Sequence, residues 1–412
     1  MIHRKPLLKM VIESLIFIYL LFLYMFPNDM SGILYANYVF YALAGAIMLY
    51  LACRRRFCCS PLFIIFAAFI LVCFLSAFFG IDFGYSVAKV NSLLKLFIMT
   101  VFLYNYLYLE GRFRYLIYVF ASAGVLYALY VMIRIGIPDY IRGLMAGRRM
   151  GKELNNVNAM GMYVSSSFII LLWNILYGKR GVWLCVLASA PCLIVAFGSG
   201  SRKVLVMVAL TIVMLSAFKG SGVTRVKAVL IAAVGLLALY MAIRLPWFSA
   251  LNTRFLSLLS GLAGSKTDGS TEGRLFLIQM GMEQFRKTPL LGVGIANSRY
   301  LTEKYWIGRS YLHNNYVELL ACAGILGTIP FYLLYAFPLV RLIKPLKEKN
   351  KYAVLAVVYM LIKLILQYGY VAYYDKETYM ELIMFYLIAE MLQTETYIEG
   401  AYQRKAVMKW NV

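Results

Sequence analysis

One histidine and two arginines are the residues of this sequence best suited to catalysis and to binding an anionic substrate. His313 is the only histidine outside the N-terminal tail, and a neutral imidazole can take a proton from a hydroxyl group. Arg274 lies near the start of a short amphipathic segment, and Arg202 follows the run Phe-Gly-Ser-Gly-Ser. Guanidinium groups match the oxygens of a diphosphate, although Arg202 could instead be an anchor at the membrane interface. A base accompanied by such cations indicates transfer of a group from an anionic leaving group to a hydroxyl.

Further polar residues can support this chemistry. Asn314 follows His313 directly, and Glu318 lies on the first turn of the next predicted helix, where it is the alternative base. Lys95 and Lys363 fall inside predicted membrane spans, and a charge placed there is costly enough to indicate a function. A purely structural role is the alternative for each of these residues, and for His313 itself.

The sequence lacks the signatures of several other enzyme classes. It contains no Asp-x-Asp pair, no Walker A loop and no His-Glu-x-x-His motif. The loops assigned to the outer side hold many cations and few carboxylates, and none of the cysteines falls in the two long ones. We therefore expect a reaction that uses no metal and no cofactor, in a protein without a disulfide framework.

The composition predicts an all-α integral membrane protein. Hydrophobic residues make up 63% of the chain, and the mean hydropathy is +0.75. Apolar runs of about 20 residues recur, which is the length that crosses a bilayer, and the alternating segments of a β-barrel are absent. We expect residues 1–412 to form a single polytopic membrane domain of about twelve transmembrane helices. The predicted spans are 10–26, 33–53, 61–79, 91–109, 115–133, 157–177, 182–198, 203–218, 228–245, 317–340, 352–372 and 378–396.

The distribution of basic residues predicts the orientation of these spans. Lysine and arginine concentrate in the segments between alternate spans, which places both termini in the cytoplasm and a long loop, residues 246–316, on the outer side. The formal net charge of +23 also includes basic residues in that loop and in residues 134–156. These charges either are incidental or bind an anionic lipid-linked substrate. Nucleic acid is not an expected partner of so apolar a chain.

The long outer loop is expected to contain a short helix that ends in a turn. Ser270 or Thr271 can cap this helix, and Arg274 lies at the edge of its apolar stripe. Pro289 should end it, because the residue before proline avoids the helical region. The glycines of Gly292-Val293-Gly294 favour a structural turn over a phosphate-binding loop. The stripe consists of Leu275, Ile278, Met282 and Phe285.

Short motifs follow one another in a specific order between residues 150 and 330. They are Asn155-Asn156-Val157-Asn158-Ala159, Ser199-Gly200-Ser201-Arg202, Arg274, Pro289-Leu290-Leu291-Gly292-Val293-Gly294, His313-Asn314 and Gly324-Ile325-Leu326-Gly327. Their order and spacing resemble those of the O-antigen ligase and O-antigen polymerase superfamily of bacterial envelope enzymes. That family often has an acidic residue shortly before its Gly-x-x-Gly. This chain has Cys322 there, so Glu318 is the candidate replacement.

The resemblance implies a multi-pass glycosyl transferase of the bacterial inner membrane with its active site on the extracytoplasmic face. The implied partners are a polyprenyl-diphosphate-linked oligosaccharide donor, a glycan or glycolipid acceptor, the lipid bilayer and, as a further candidate, a chain-length regulator. His313 is then the base, Arg202 and Arg274 hold the diphosphate, and Asn158 supports the site. Direct displacement would invert the anomeric centre, since no carboxylate pair suggests a double displacement.

Polymerisation of surface polysaccharide repeat units is the expected role, and two alternatives stay open. An O-antigen ligase would transfer the glycan to lipid A–core. A transporter or flippase of lipid-linked glycans would share the helices and the cationic surface, but it should have inverted repeats and substrate groups at the bilayer midplane. The distinctive polar residues instead gather at the predicted outer face, which favours an enzyme.

Overall fold

The computed structural model describes residues 4–26, 30–154, 156–178, 181–219, 269–304 and 308–410, with scattered positions between 226 and 256. Within these residues all regular secondary structure is helical. Six of the described helices are long and apolar enough to cross a membrane by their length and composition. The expected fold class, an all-α integral membrane protein, is confirmed.

The described helices are numbered in chain order. Before residue 220 they are α1 (Arg4–Met25), α2 (Met30–Arg54), α3 (Pro61–Ala77), α4 (Phe83–Leu109), α5 (Phe113–Ile135), α6 (Ile137–Met145), α7 (Val157–Tyr177), α8 (Val182–Gly198) and α9 (Arg202–Ala217). After residue 268 they are α10 (Gly269–Lys287), α11 (Ser298–Lys304), α12 (Asn315–Lys347), α13 (Lys351–Leu366) and α14 (Lys376–Trp410).

The predicted spans agree with these helices wherever the structure describes both. The first eight predicted spans and the last three each overlap a helix. Of the ninth, residues 228–245, the structure describes only scattered positions, which are half of the total. Helices α3 and α8 are apolar but shorter, at 17 residues each. The total of twelve spans therefore stays a prediction.

Capping side chains mark where several helices begin. Asp82 accepts a hydrogen bond from the backbone N–H of Tyr85 at 2.8 Å, at the start of α4. Asn350 accepts one from the backbone N–H of Tyr352 at 2.9 Å, at the start of α13. Such caps satisfy N–H groups of the first turn, which have no partner inside the helix. Local sequence thus sets these helix starts.

Helix α10 forms in the long loop, but its buried face differs from the predicted stripe. Leu275 is 45% exposed, whereas Leu277 and Met280 are buried. Gly281 sets the packing, because a Cβ at this position would lie 2.5 Å from a methyl group of Val317 on α12. The predicted stripe was therefore wrong in part. Apolar residues occur on more than one face of α10, and helical periodicity alone could not select the face that packs on α12.

The ends of α10 lie close to the expected ones. The helix begins at Gly269, so Ser270 and Thr271 fall inside it instead of capping it from outside. It ends at Lys287, two residues before Pro289, as the restriction on the residue before proline requires.

Helix α12 is broken at Gly324, and the loop after α10 fills the break. Gly324 has a φ of 62° and a ψ of −169°, which is not helical. The backbone N–H of Ile325 donates to the carbonyl oxygen of Pro289 at 2.8 Å, and that of Leu326 donates to the carbonyl oxygen of Leu290 at 3.2 Å. A Cβ on Gly324 would lie 2.1 Å from the Leu290 oxygen. The two glycine-containing motifs thus form one loop–helix contact, which supports the expected structural turn.

Candidate active site

A cavity of about 390 Å³ brings together residues from distant parts of the chain. Its walls come from α1, α2, α7, α9, α10 and the start of α14, and from the segments 311–313 and 370–375. Asn158, Arg274 and His313, which the sequence analysis selected, all line it. Because it gathers these residues, this cavity is the candidate active site.

The backbone turn before α12 presents His313 to the cavity. His313 has a φ of 56°, and non-glycine residues with such strained conformations concentrate at functional sites. Both neighbours of the histidine are fixed. The backbone N–H of Leu312 donates to Oε2 of Glu318 at 2.7 Å, and Asn314 caps α12 with its side-chain oxygen.

Glu318 holds this turn from a buried position. It is 1% exposed, and its other oxygen accepts a hydrogen bond from the hydroxyl of Ser298 at 2.5 Å. The carboxylate thus ties α11 and the histidine turn to α12. Glu318 is not among the residues that line the cavity, so its position fits support of His313 better than direct contact with a substrate.

The surroundings of His313 keep its imidazole neutral. Its pKa is lowered from 6.5 to about 4, first because the ring is partly buried and then because Arg274 and Lys203 repel its proton. The ring of Tyr311 lies beside it, with the two ring centroids 4.2 Å apart. An imidazole with this pKa is deprotonated at pH 7, which is the form that can accept a proton.

Arg274 and Lys203 form a cationic wall beside His313. Both line the cavity, and both lower the pKa of the histidine. The ammonium group of Lys203 lies 5.9 Å from the centre of the Tyr370 ring. Two cations and a neutral imidazole together can bind an anionic group and accept a proton next to it.

The sequence analysis selected Arg202, whereas the structure places its neighbour Lys203 on the cavity. Arg202 is half-buried at the first position of α9 and is not among the lining residues. Successive residues of an α-helix point about 100° apart. The Arg202-Lys203 pair was visible in the sequence, but the choice between them depends on the rotation of α9 in the fold.

Arg149 connects the Asn-rich motif to the Ser-Gly-Ser-Arg motif. Its Nε donates to the carbonyl oxygen of Ser199 at 2.8 Å, and its Nη2 donates to Oδ1 of Asn158 at 3.0 Å. From the sequence, Arg149 was only one of the basic residues between 134 and 156. Its partners could not be predicted, because Ser199 is distant in the chain and Asn158 belongs to a separate motif.

The two lysines predicted inside spans have different surroundings. Lys363 is buried, with its Nζ 2.7 Å from Oε1 of Glu381 and 3.5 Å from Oε2 of Glu377. Glu377 lines the cavity, so Lys363 lies one side chain behind the wall. Lys95 is exposed on α4 and is not among the lining residues.

Comparison with known protein families finds one match for this part of the chain. Residues 166–332 match the family model of the O-antigen ligase.

This segment of the chain is similar to the O-antigen ligase family.

No curated protein matches the chain in sequence. The resemblance inferred from the order of the motifs is confirmed.

The segment that matches the O-antigen ligase family contains only part of the cavity wall. Lys203, Arg274 and His313 lie within the matched residues, as does the loop–helix contact at Gly324. Asn158 and the segment 370–377 line the same cavity from outside the match. The cationic wall and the histidine therefore lie in the segment that matches the family model, and other walls are contributed by the rest of the chain.

Proposed function

We propose that this protein is a membrane glycosyl transferase that moves a glycan from a polyprenyl-diphosphate carrier to a sugar hydroxyl. One observation carries the proposal. A neutral imidazole, His313, lies beside Arg274 and Lys203 in a cavity partly built by an O-antigen ligase domain. The O-antigen ligase family supports a lipid-linked glycan as donor and a second glycan or glycolipid as acceptor.

The donor diphosphate binds at the cationic wall in this proposal. Arg274 and Lys203 pair with its oxygens, and Arg202 at the start of α9 adds to the positive potential around it. Cations at these oxygens stabilise the charge that develops as the carrier leaves. For this reason the leaving group needs no proton from a general acid.

The chemical step is one displacement at the anomeric carbon. The acceptor oxygen forms a bond to that carbon, and the bond between the carbon and the diphosphate oxygen breaks. The electron pair of the broken bond leaves with the polyprenyl diphosphate, and the acceptor proton passes to His313. Attack from the face opposite the leaving group inverts the configuration of the sugar.

Donor binding also makes His313 a stronger base in this proposal. Arg274 and Lys203 lower its pKa in the free protein. A bound diphosphate offsets their positive charge, so the pKa rises again in the complex. The histidine therefore stays unprotonated before the donor arrives and gains basicity once the donor is present.

Polymerisation of surface polysaccharide repeat units is the role we propose within this family, in the bacterial inner membrane and without a metal or cofactor. The basic segments of the sequence support an active site on the extracytoplasmic face with both termini in the cytoplasm. A chain-length regulator would be a partner of a polymerase. Transfer to lipid A–core and transport of a lipid-linked glycan are the competing roles.

Reconstitution with a lipid-linked repeat unit tests the proposal. The purified protein in lipid vesicles should convert the repeat into a ladder of longer products on a gel, and polyprenyl diphosphate should be released. A parallel reaction with lipid A–core should leave that acceptor unmodified. Transfer to lipid A–core without a ladder would identify a ligase. Movement of the repeat across the bilayer without a new glycosidic bond would refute an enzyme and favour a transporter.

A further inference from the structure

The cavity has a second polar region that the donor chemistry does not use. It consists of the carboxylates of Asp375 and Glu377 together with the rings of Tyr24, Tyr163, Tyr370 and Tyr374. We call it the carboxylate–tyrosine wall. Lys376 lies between the two carboxylates in the chain and also lines the cavity, so this stretch presents two acidic groups and one ammonium group. Because the carboxylates repel an anionic diphosphate, this wall serves another ligand or another part of the substrate. All six of its residues lie outside the O-antigen ligase match.

Glu377 is held in a fixed position in this wall. It is 3% exposed, and one of its oxygens accepts a hydrogen bond from the hydroxyl of Tyr24 at 3.0 Å. Its other oxygen lies 3.5 Å from Nζ of Lys363, which also binds Glu381. A carboxylate has about four lone-pair positions, so Glu377 retains the capacity to accept further hydrogen bonds. Lys363 is therefore a positioning residue for the wall.

Asp375 is the more accessible carboxylate. It is half-buried directly before α14, and in the described part of the chain it has no ion-pair partner within 4.0 Å. Burial and the nearby charge of Glu377 raise its pKa. A group in this setting gains from a hydroxyl that donates a hydrogen bond to it, because that bond stabilises its charged form.

The tyrosines give the wall flat apolar surfaces. Tyr163, Tyr370 and Tyr374 are half-buried and line the cavity. Tyr24 is buried and stacks against Tyr163, with centroids 4.5 Å apart and an interplanar angle of 13°. Aromatic rings offer apolar faces together with a polar tip, and carboxylates accept hydrogen bonds from hydroxyl groups. A sugar ring presents both partners, with C–H groups on its faces and hydroxyls on its rim.

The carboxylate–tyrosine wall also leads towards the proposed base. Tyr374 and Tyr311 line the same cavity. Tyr311 in turn lies beside His313, at 4.2 Å between ring centroids. A sugar bound on the wall thus has one side directed along these rings to the histidine.

We infer that the carboxylate–tyrosine wall is the acceptor subsite, where the terminal sugar of the acceptor binds through its hydroxyl groups. This inference rests on the proposed function. The two substrates are separated by charge, because the anionic diphosphate of the donor occupies the cationic wall and the polyhydroxylated end of the acceptor occupies the carboxylates. The terminal sugar of a lipid-linked acceptor is remote from the diphosphate of the same molecule, so the acidic surroundings do not repel it.

Binding measurements with two separate probes test this inference on the full-length protein in lipid nanodiscs. One probe is undecaprenyl diphosphate without a glycan. The other is the phosphate-free glycan released from the lipid-linked repeat of the producing cell. Asp375→Asn should weaken glycan binding by roughly tenfold to a hundredfold, the usual effect of a hydrogen bond to a charged group. It should leave undecaprenyl diphosphate binding within about twofold, and that binding also reports that the variant is folded.

Two further variants complete the test. Arg274→Ala should weaken undecaprenyl diphosphate binding and leave glycan binding unchanged. Glu348→Gln removes an exposed carboxylate directly after the C-terminal end of α12, 4.0 Å from Lys344, and it should change neither affinity.

The outcomes separate the subsite from the proposed function. Absence of glycan binding by the unmodified protein, unchanged glycan binding by Asp375→Asn, or equal loss of both probes would overturn the acceptor subsite. Selective loss of the glycan in a protein that forms no glycosidic bond would keep a glycan subsite and refute the transferase. Transfer activity with an unchanged acceptor KM in Asp375→Asn would refute the subsite and keep the transferase.

Discussion

The low pKa of His313 predicts that transfer persists in mildly acidic solution. A general base works in its deprotonated form, and a pKa of about 4 means that His313 loses its proton as the pH rises through that value. The pH dependence of kcat/KM reports groups of the free enzyme. It should therefore rise through a pH of about 4, whereas an unperturbed histidine would place that rise near about 6.5.

The size of this effect follows from the two pKa values. At pH 5, about nine-tenths of the histidine is neutral if its pKa is about 4, against about 3% if its pKa is about 6.5. The difference in kcat/KM at pH 5 is thus about thirtyfold. Arg274→Ala removes one of the two cations that lower the pKa of His313. The rise of kcat/KM on the acidic side of the pH profile, its acidic limb, should therefore move to higher pH in this variant.

The assay measures initial rates at limiting donor between about pH 3.5 and 8, at constant ionic strength, with the protein in lipid vesicles. Return of each sample to pH 7 checks that activity recovers. Arg309→Ala is the matched control, because Arg309 is 57% exposed, pairs with Glu303 and does not line the cavity. Its acidic limb should coincide with that of the unmodified protein.

Two results would refute this reasoning. One is an acidic limb near pH 6.5 in the unmodified protein, which would mean that the cavity does not perturb the histidine. The other is a limb that stays in place in Arg274→Ala, which would mean that Arg274 does not face His313 in the working enzyme.

Further predictions concern the loop–helix contact, the histidine turn and the topology. Gly324→Ala should destabilise the fold by about 1–3 kcal/mol, since overpacking costs this much and its Cβ would lie 2.1 Å from the Leu290 oxygen; an unchanged melting temperature would contradict this. Glu318→Gln should lower kcat by about tenfold to a hundredfold through a misplaced base, with donor KM unchanged; full kcat would remove its positioning role. In a cysteine-free background, an impermeant thiol reagent should label Ser265→Cys but not Gly222→Cys, and the reverse pattern would invert the orientation.

Sequence alone predicted those parts of the fold that depend on local properties. Apolar runs identified helices because a membrane span must satisfy its own backbone hydrogen bonds. Motif order identified the family, and it selected His313, Arg274 and Asn158, which the fold brings to one cavity. A lone histidine in a polar loop was a usable signal because so few polar residues interrupt the chain.

The rest of the candidate site depends on tertiary packing. The rotation of α9 decides that Lys203 faces the cavity, and the approach of Gly281 to α12 decides which face of α10 is buried. Asp375 and Glu377 lie beyond the last recognised motif, and their place in the wall depends on how α14 packs against α1 and α13. Neither the hydrophobic periodicity nor any motif of the sequence predicts these packing arrangements.

The most direct test of the central claim compares donor binding and turnover on one purified sample of His313→Ala. If His313 is the base, turnover should fall by roughly 10²–10⁴-fold, the usual contribution of general acid–base catalysis. Donor affinity and the melting temperature should be unchanged, because in the proposed mechanism Arg274 and Lys203 hold the donor. Near-normal turnover per folded molecule would contradict the account, and loss of folding with turnover preserved would make His313 a structural residue.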